Sequence, residues 1–153
     1  MQLAGKTILL TGGTDGIGKE LAHQLRAKGA TVVVTGRNAE RIAAAKRDGF
    51  EVIAADLSLP KGIDDVIDGL GSCTPDILIN NAGVMIPPKS TTTDGFELQI
   101  GTNHFGHFAL TSHLMPLLSA AKHPRVVTLS SIAHWAGRID LADINGEKKK
   151  YDK

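Results

Sequence analysis

The sequence predicts an α/β protein built on a doubly wound parallel sheet. Two observations carry that prediction. Short β-branched and leucine runs alternate with longer amphipathic stretches along the chain, as strands alternate with helices in parallel sheets. The first run, Lys6–Thr11, passes through a glycine turn straight into a helical pattern that ends at Gly29. Five strands are expected, in the spatial order 3-2-1-4-5, within one domain spanning residues 1–153.

The opening strand is a buried parallel one, because KTILLT has no polar alternation. The helix that follows puts Leu21, Ala22 and Leu25 on one face, with Lys19, Glu20 and Arg26 toward water. Gly29 supplies its C-terminal stop. Between strand and helix lie Gly12, Gly16 and Gly18. A strand, a glycine turn and a helix N-terminus form an anion site, since free backbone N–H groups and the positive dipole end meet there. Glycine allows the tight turn, the approach of a diphosphate and close helix–strand contact. The second strand, Thr31–Thr35, completes a βαβ unit and turns a weak glycine signal into a specific one. The expected ligand is a dinucleotide.

An acidic residue near the end of strand two would accept a ribose 2′-hydroxyl. Gly36 and Arg37 stand there instead. A guanidinium holds a 2′-phosphate bidentately, so Arg37 favours NADP over NAD. Asp15, inside the glycine loop, pulls the other way and is expected to face solvent or cap the helix. A short helix over Ala39–Asp48 points Ile42 and Ala45 inward, and strand three follows at Glu51–Ala55. Asp56 and Leu57 close that strand, Pro60–Leu70 forms the next helix, and Ile77–Ile79 is strand four.

Strand four ends in Asn80-Asn81-Ala82-Gly83, small residues and amides suited to close ligand approach and to tying strand ends together. After a loop from Val84 to Asp94 comes a long helix, with Asp94 as N-cap and Glu97 completing a capping box. Its apolar stripe runs Phe96, Ile100, Leu110, Leu114, Leu117, and Asn103 and His107 fall on it. A buried amide there needs a partner, so Asn103 stands out. His107 reads as a satisfied core or interface histidine. Strand five, Arg125–Leu129, closes with Ser130-Ser131 at the end of the sheet where ligands bind.

Thr11-Gly12-x-x-x-Gly16-x-Gly18 followed by Asn80-Asn81-Ala82-Gly83 resembles the short-chain dehydrogenase/reductase family, whose fold is the Rossmann sheet. SSIAH at 130–134 and DINGEKK at 143–149 resemble its retinol-dehydrogenase-like branch. The resemblance implies cofactor contacts from Gly12, Thr14, Asp15, Gly16, Ile17, Gly18, Arg37, Asn81, Ala82 and Gly83, with Asn80 structural. It implies that Asp56 and Leu57 contact adenine, although Asp56 reads equally well as the aspartate opening the next helix. It implies that Asn103 holds a proton-relay water and that Ser131, or else Ser130, hydrogen-bonds a substrate carbonyl. The implied activity is hydride transfer between NADP(H) and a small carbonyl or alcohol. A sugar-nucleotide epimerase is disfavoured, because Lys19 stands where its third glycine belongs.

The family's catalytic Y-x-x-x-K is not met. The single tyrosine, Tyr151, would need its lysine at position 155, beyond Lys153. The chain therefore reads as the N-terminal part of the family's domain, with strand five an exposed edge and one face of the long helix uncovered. Low stability of the isolated polypeptide follows as an expectation. The alternative reading is a non-catalytic dinucleotide-binding or dimerisation module.

Composition adds exclusions. A net charge of +1 gives no reason to expect nucleic acid or an anionic membrane, and Lys148–Lys150 reads as a solvated tail. Cys73 is the sole cysteine, which fits a reducing, cytoplasmic setting and excludes an internal disulfide. No signal peptide or membrane span is predicted, and His104, His113 and His123 show no metal-ligand spacing. Homo-oligomer formation is left open.

Overall fold

A computed structural model describes residues 3–148. Tyr151 and Lys149–Lys150, singled out above, lie outside the described residues. Five parallel strands pair in the order β3-β2-β1-β4-β5. They are β1 (Thr7–Leu10), β2 (Thr31–Gly36), β3 (Glu51–Ala54), β4 (Ile77–Asn80) and β5 (Arg125–Thr128). The chain reverses its winding between β1 and β4, which opens a crevice at their carboxyl ends.

The apolar runs split by parity, because alternate strand residues face opposite sides. Leu9, Val33 and Leu78 face α3 (Pro60–Leu70) and α5 (His107–Ala120), packing on Val66, Leu110 and Leu114. Ile8, Leu10, Val32, Val34 and Ile79 form the other layer, with Ala22, Leu21 and Leu25 of α1 (Gly16–Ala27). Helix α2 (Ala39–Arg47) buries Ala45. Lys6 and Asp76 clip the starts of β1 and β4 together, 2.6 Å apart, and Asp76 also accepts from the Thr7 amide at 2.9 Å. The Lys6 ammonium and the Thr7 amide hold the Asp76 carboxyl below its ordinary value.

The long helix differs from the sequence expectation in three ways. Its cap is Glu97, not Asp94: the Glu97 carboxylate accepts from the Gln99 and Ile100 amides at the start of α4 (Leu98–Ile100). Gly95, at φ +88°, closes a turn on Thr92 that no helix can continue from Asp94. Asn145 locks the corner, accepting from the Glu97 amide and donating to the Gly95 carbonyl. Between α4 and α5 the helix widens into a π-helical stretch over Gly101–Gly106. That rotates Asn103 out of the buried stripe into an exposed position, so the premise of a buried Asn103 amide is wrong. Downstream, Leu118 is the fully buried residue and Leu117 only packs against the core.

The exposed edge is present. Every residue of β5 is exposed, as are Phe108 and Met115 on α5. No helix among the described residues is long and apolar enough to cross a membrane.

Candidate functional site

The β1–α1 loop is shaped by two contacts that exclude side chains. A Cβ on Gly18 would collide with the Gly12 carbonyl oxygen and come within 2.5 Å of Asn81 Nδ2. A Cβ on Gly12 would meet Ala82 Cα at 2.8 Å, at a φ of +66°. Asn81 Nδ2 donates to the carbonyls of Thr11 (2.9 Å) and Gly12 (3.3 Å), which ties the end of β4 to the loop. Asp15 takes the N-cap position of α1, yet its side chain makes no capping bond. The amides opening α1 are therefore not claimed by that carboxylate, and an anion there would meet N–H groups and the positive dipole end.

Thr11 is the hub beneath this loop. Its hydroxyl is fully buried and accepts from the Asn81 and Ala82 amides, both at 2.9 Å. His107 Nε2 lies 2.9 Å from the same oxygen, and His107 Nδ1 lies 3.1 Å from the Asn103 carbonyl. A carbonyl only accepts, so Nδ1 carries the hydrogen and Nε2 accepts from Thr11. The Ile79 carbonyl, at 3.3 Å, is the more distant acceptor for that hydrogen. The expectation of a satisfied core histidine fits this placement. Burial pushes the imidazole below its ordinary value, the Asn103 carbonyl works against that, and His104 adds to the lowering.

A sign follows from that shift. The unfolded chain takes up the His107 proton near pH 6.5 and the folded chain only at lower pH, so acid favours unfolding. The melting temperature is expected to fall as pH drops below about 6.5, with a slope from this group of at most about 1.4 kcal/mol per pH unit. His107→Gln should flatten that part of the curve. A slope unchanged in the variant would show that His107 is not its source.

Two acid–base pairs rim the cleft where adenosine is expected. Arg37 Nη1 lies 3.2 Å from Asp56 Oδ2. Burial alone would raise the Asp56 carboxyl; the Ser58 amide and hydroxyl, then Arg37, outweigh it and hold the group below its usual value. Asp56 accepts from the Ser58 amide and hydroxyl and lines the cleft, while the N-cap position of α3 falls to Leu59. Asp15 turns outward, as expected, and meets Arg41 Nη1 at 2.7 Å. Arg41 gave no signal in the sequence, because a first-turn helical arginine is usually only solvated.

At the far end, Asn103 clamps the loop after Gly83: Oδ1 accepts from the Val84 amide at 2.8 Å and Nδ2 donates to the Val84 carbonyl at 2.9 Å. Ser131 caps a short 3₁₀ turn (Ile132–Trp135), accepting from the Ala133 amide at 3.2 Å, and is exposed. Asn80 donates to Thr111 (3.1 Å) and Thr128 (3.4 Å), a bracing role between β4, α5 and β5.

All the residues the sequence nominated lie on one cleft of about 740 Å³. From the glycine loop these are Gly12, Thr14, Asp15, Gly16, Ile17 and Gly18; from the strand ends, Arg37, Asp56, Leu57, Asn81, Ala82 and Gly83; and beside them Asn103 and Ser131. That volume is in the usual range for cofactor pockets, about 300–1,000 Å³. Arg41, Thr35, Val84, Met85, Gln99 and Thr102 also line it. Asn80 Oδ1 and Thr102 Oγ1, on its wall, are buried without a protein hydrogen-bond partner. Cys73 is not part of it; burial and then Glu51 push its thiol up, away from the reactive thiolate. Among the described residues no cluster of His, Cys, Asp or Glu is placed to hold a metal ion.

The parallel sheet, its order and the crevice between β1 and β4 define a Rossmann-like α/β protein. The family model for short chain dehydrogenase matches residues 6–142, and the chain belongs to that family. It is 41% identical to retinol dehydrogenase 13 of Homo sapiens, over 98% of this chain and 48% of that protein. The chain thus spans about half the length of the curated relatives it matches. A solved structure of an uncharacterized protein from Mycobacterium Paratuberculosis superposes with a TM-score of 0.85 at 42% identity, covering 98% of this chain and 55% of that one. The Pseudomonas aeruginosa RhlG/NADP active-site complex gives 0.76 at 32% identity, covering 95% and 62%.

Proposed function

We propose that this chain is the cofactor-binding part of an NADP(H)-dependent oxidoreductase acting on a small carbonyl or alcohol. The observation that carries the reading is the convergence of every nominated residue on one cleft at the switch point. The residues fit a dinucleotide. Gly12 and Gly18 keep the loop clear of side chains, and the opening amides of α1 are aimed at a diphosphate. Arg37, beside Gly36 at the end of β2, favours a 2′-phosphorylated ribose. Asp56 and Leu57 receive adenine; Asn81, Ala82 and Gly83 line the middle of the cofactor. The relatives named retinol dehydrogenase and the neighbour solved with NADP support the same reading.

When bound, the nicotinamide supplies or accepts the hydride. The residues of this chain bind and orient. Ser131 accepts from Ala133, which leaves its own hydroxyl hydrogen to donate to the substrate oxygen. Asn103, fixed by Val84, keeps one lone pair and one N–H to hold a relay water. The chain's placement as one Rossmann domain, continued in the parent protein by further segments, belongs to the same proposal.

Fluorescence titration of the parent protein with NADPH and NADH tests it. Saturable binding, tighter for NADPH, is expected; binding of neither would overturn the proposal. Carbonyl-dependent NADPH oxidation by the parent protein, lost in Ser131→Ala by about 10²-fold or more, tests the catalytic half.

A further inference from the structure

We infer that Arg41 is a second cation for the 2′-phosphate of the dinucleotide, and that Asp15 is its resident counter-ion, displaced when that phosphate binds. This rests on the cofactor reading above. The starting point is a charge balance. Arg37 and Arg41 line the same end of the cleft, one before and one within the first turn of α2. Each is held by one carboxylate, Asp56 at 3.2 Å and Asp15 at 2.7 Å, so the two cations meet two anions.

Neither pair is a fixed structural bridge. The Arg41 and Asp15 side chains are 57% and 60% exposed, so the pair is screened and readily exchanged. Asp56 keeps the Ser58 amide and hydroxyl when Arg37 leaves it. Asp15, once released, is already facing water. A phosphate offers up to two charges and three acceptor oxygens to a guanidinium, more than one exposed carboxylate does. Asn38 Oδ1 caps the Arg41 amide at 3.0 Å and fixes the first turn of α2, whose positive dipole end adds to the attraction for an anion.

The arrangement also explains why a carboxylate is tolerated in the glycine loop. Asp15 does not cap α1 and does not face the loop's amides; it spends its charge on Arg41. The cost of that device is selectivity, because the phosphate must compete with Asp15 for the arginine.

The test is a double-mutant cycle read by NADPH and NADH titration of the parent protein. NADH lacks the 2′-phosphate and serves as the internal control for folding and for diphosphate binding. Arg41→Ala is expected to weaken NADPH about tenfold and leave NADH within about twofold. Asp15→Asn is expected to tighten NADPH about three- to fivefold with NADH unchanged, and that gain should vanish in the Arg41→Ala background. Equal changes for both dinucleotides in Asp15→Asn would overturn the inference, since Asp15 would then act on the diphosphate. An unchanged NADPH affinity in Arg41→Ala, with Arg37→Ala losing it, would also overturn it while the cofactor reading stands. Binding of neither dinucleotide by the unaltered parent protein would remove both.

Discussion

Gly18→Val is expected to abolish dinucleotide binding, weakening it at least about a hundredfold, or about 2.7 kcal/mol. The physical reason is occupancy. The space a side chain would need is already filled by the Gly12 carbonyl and the Asn81 side-chain amide, both beside the loop proposed to receive the diphosphate. Valine forces the first turn of α1 away from the loop, and the amides that open the helix turn with it. Gly16→Ala is the informative contrast. Its Cβ meets open space, and only its φ of +51° opposes the change, at about 1–2 kcal/mol of backbone strain. Titration with NADPH, beside circular dichroism to follow the fold, reads both. A Gly18→Val protein that binds like the parent would mean the diphosphate does not rest on this loop.

Thr11→Val should produce the largest loss of stability of any conservative substitution at the site, about 3–5 kcal/mol. Valine preserves the shape and removes one oxygen. Two half-buried amides, from Asn81 and Ala82, and the Nε2 of His107 then lose their partner together. For a chain of this size the melting temperature should fall by about 8–15 °C. Thr11→Ser keeps the oxygen and loses a methyl, so it should cost only about 1 kcal/mol. Equal melting temperatures for the two variants would show that the hydroxyl is not the hub its geometry describes.

Much of the fold is legible in the sequence. The expected strands agree with the observed ones to within a residue or so, because each is a short apolar run bounded by glycine, proline or aspartate. The cleft was legible because the two motifs that build it, at Thr11–Gly18 and Asn80–Gly83, are local and follow adjacent strands. The start of the long helix was not legible. Asp94 and Glu97 have the spacing of a capping box, but Gly95 and the remote Asn145 decide the corner, and Asn145 is 48 residues away from Glu97. Asn103 was nominated for the wrong physical reason. Its position on a 3.6-residue stripe predicted burial, whereas the widened turn at Gly101–Gly106 faces it to the cleft, where Val84 holds it.

Charge partners are the clearest division between the two levels. The sequence alone determined that a cation follows strand two and that an acid interrupts the glycine loop, since both are facts about residue identity at a fixed spacing. It could not determine that Asp15 meets Arg41 or that Arg37 meets Asp56, because those pairs join different βα units. Likewise His107 reads only as a core or interface histidine on the apolar stripe, until the sheet brings Thr11 within 2.9 Å of it. Backbone periodicity is written locally and can be read from the chain. Side-chain pairing across the switch point exists only after β1 and β4 lie side by side, and the tertiary structure alone decides it.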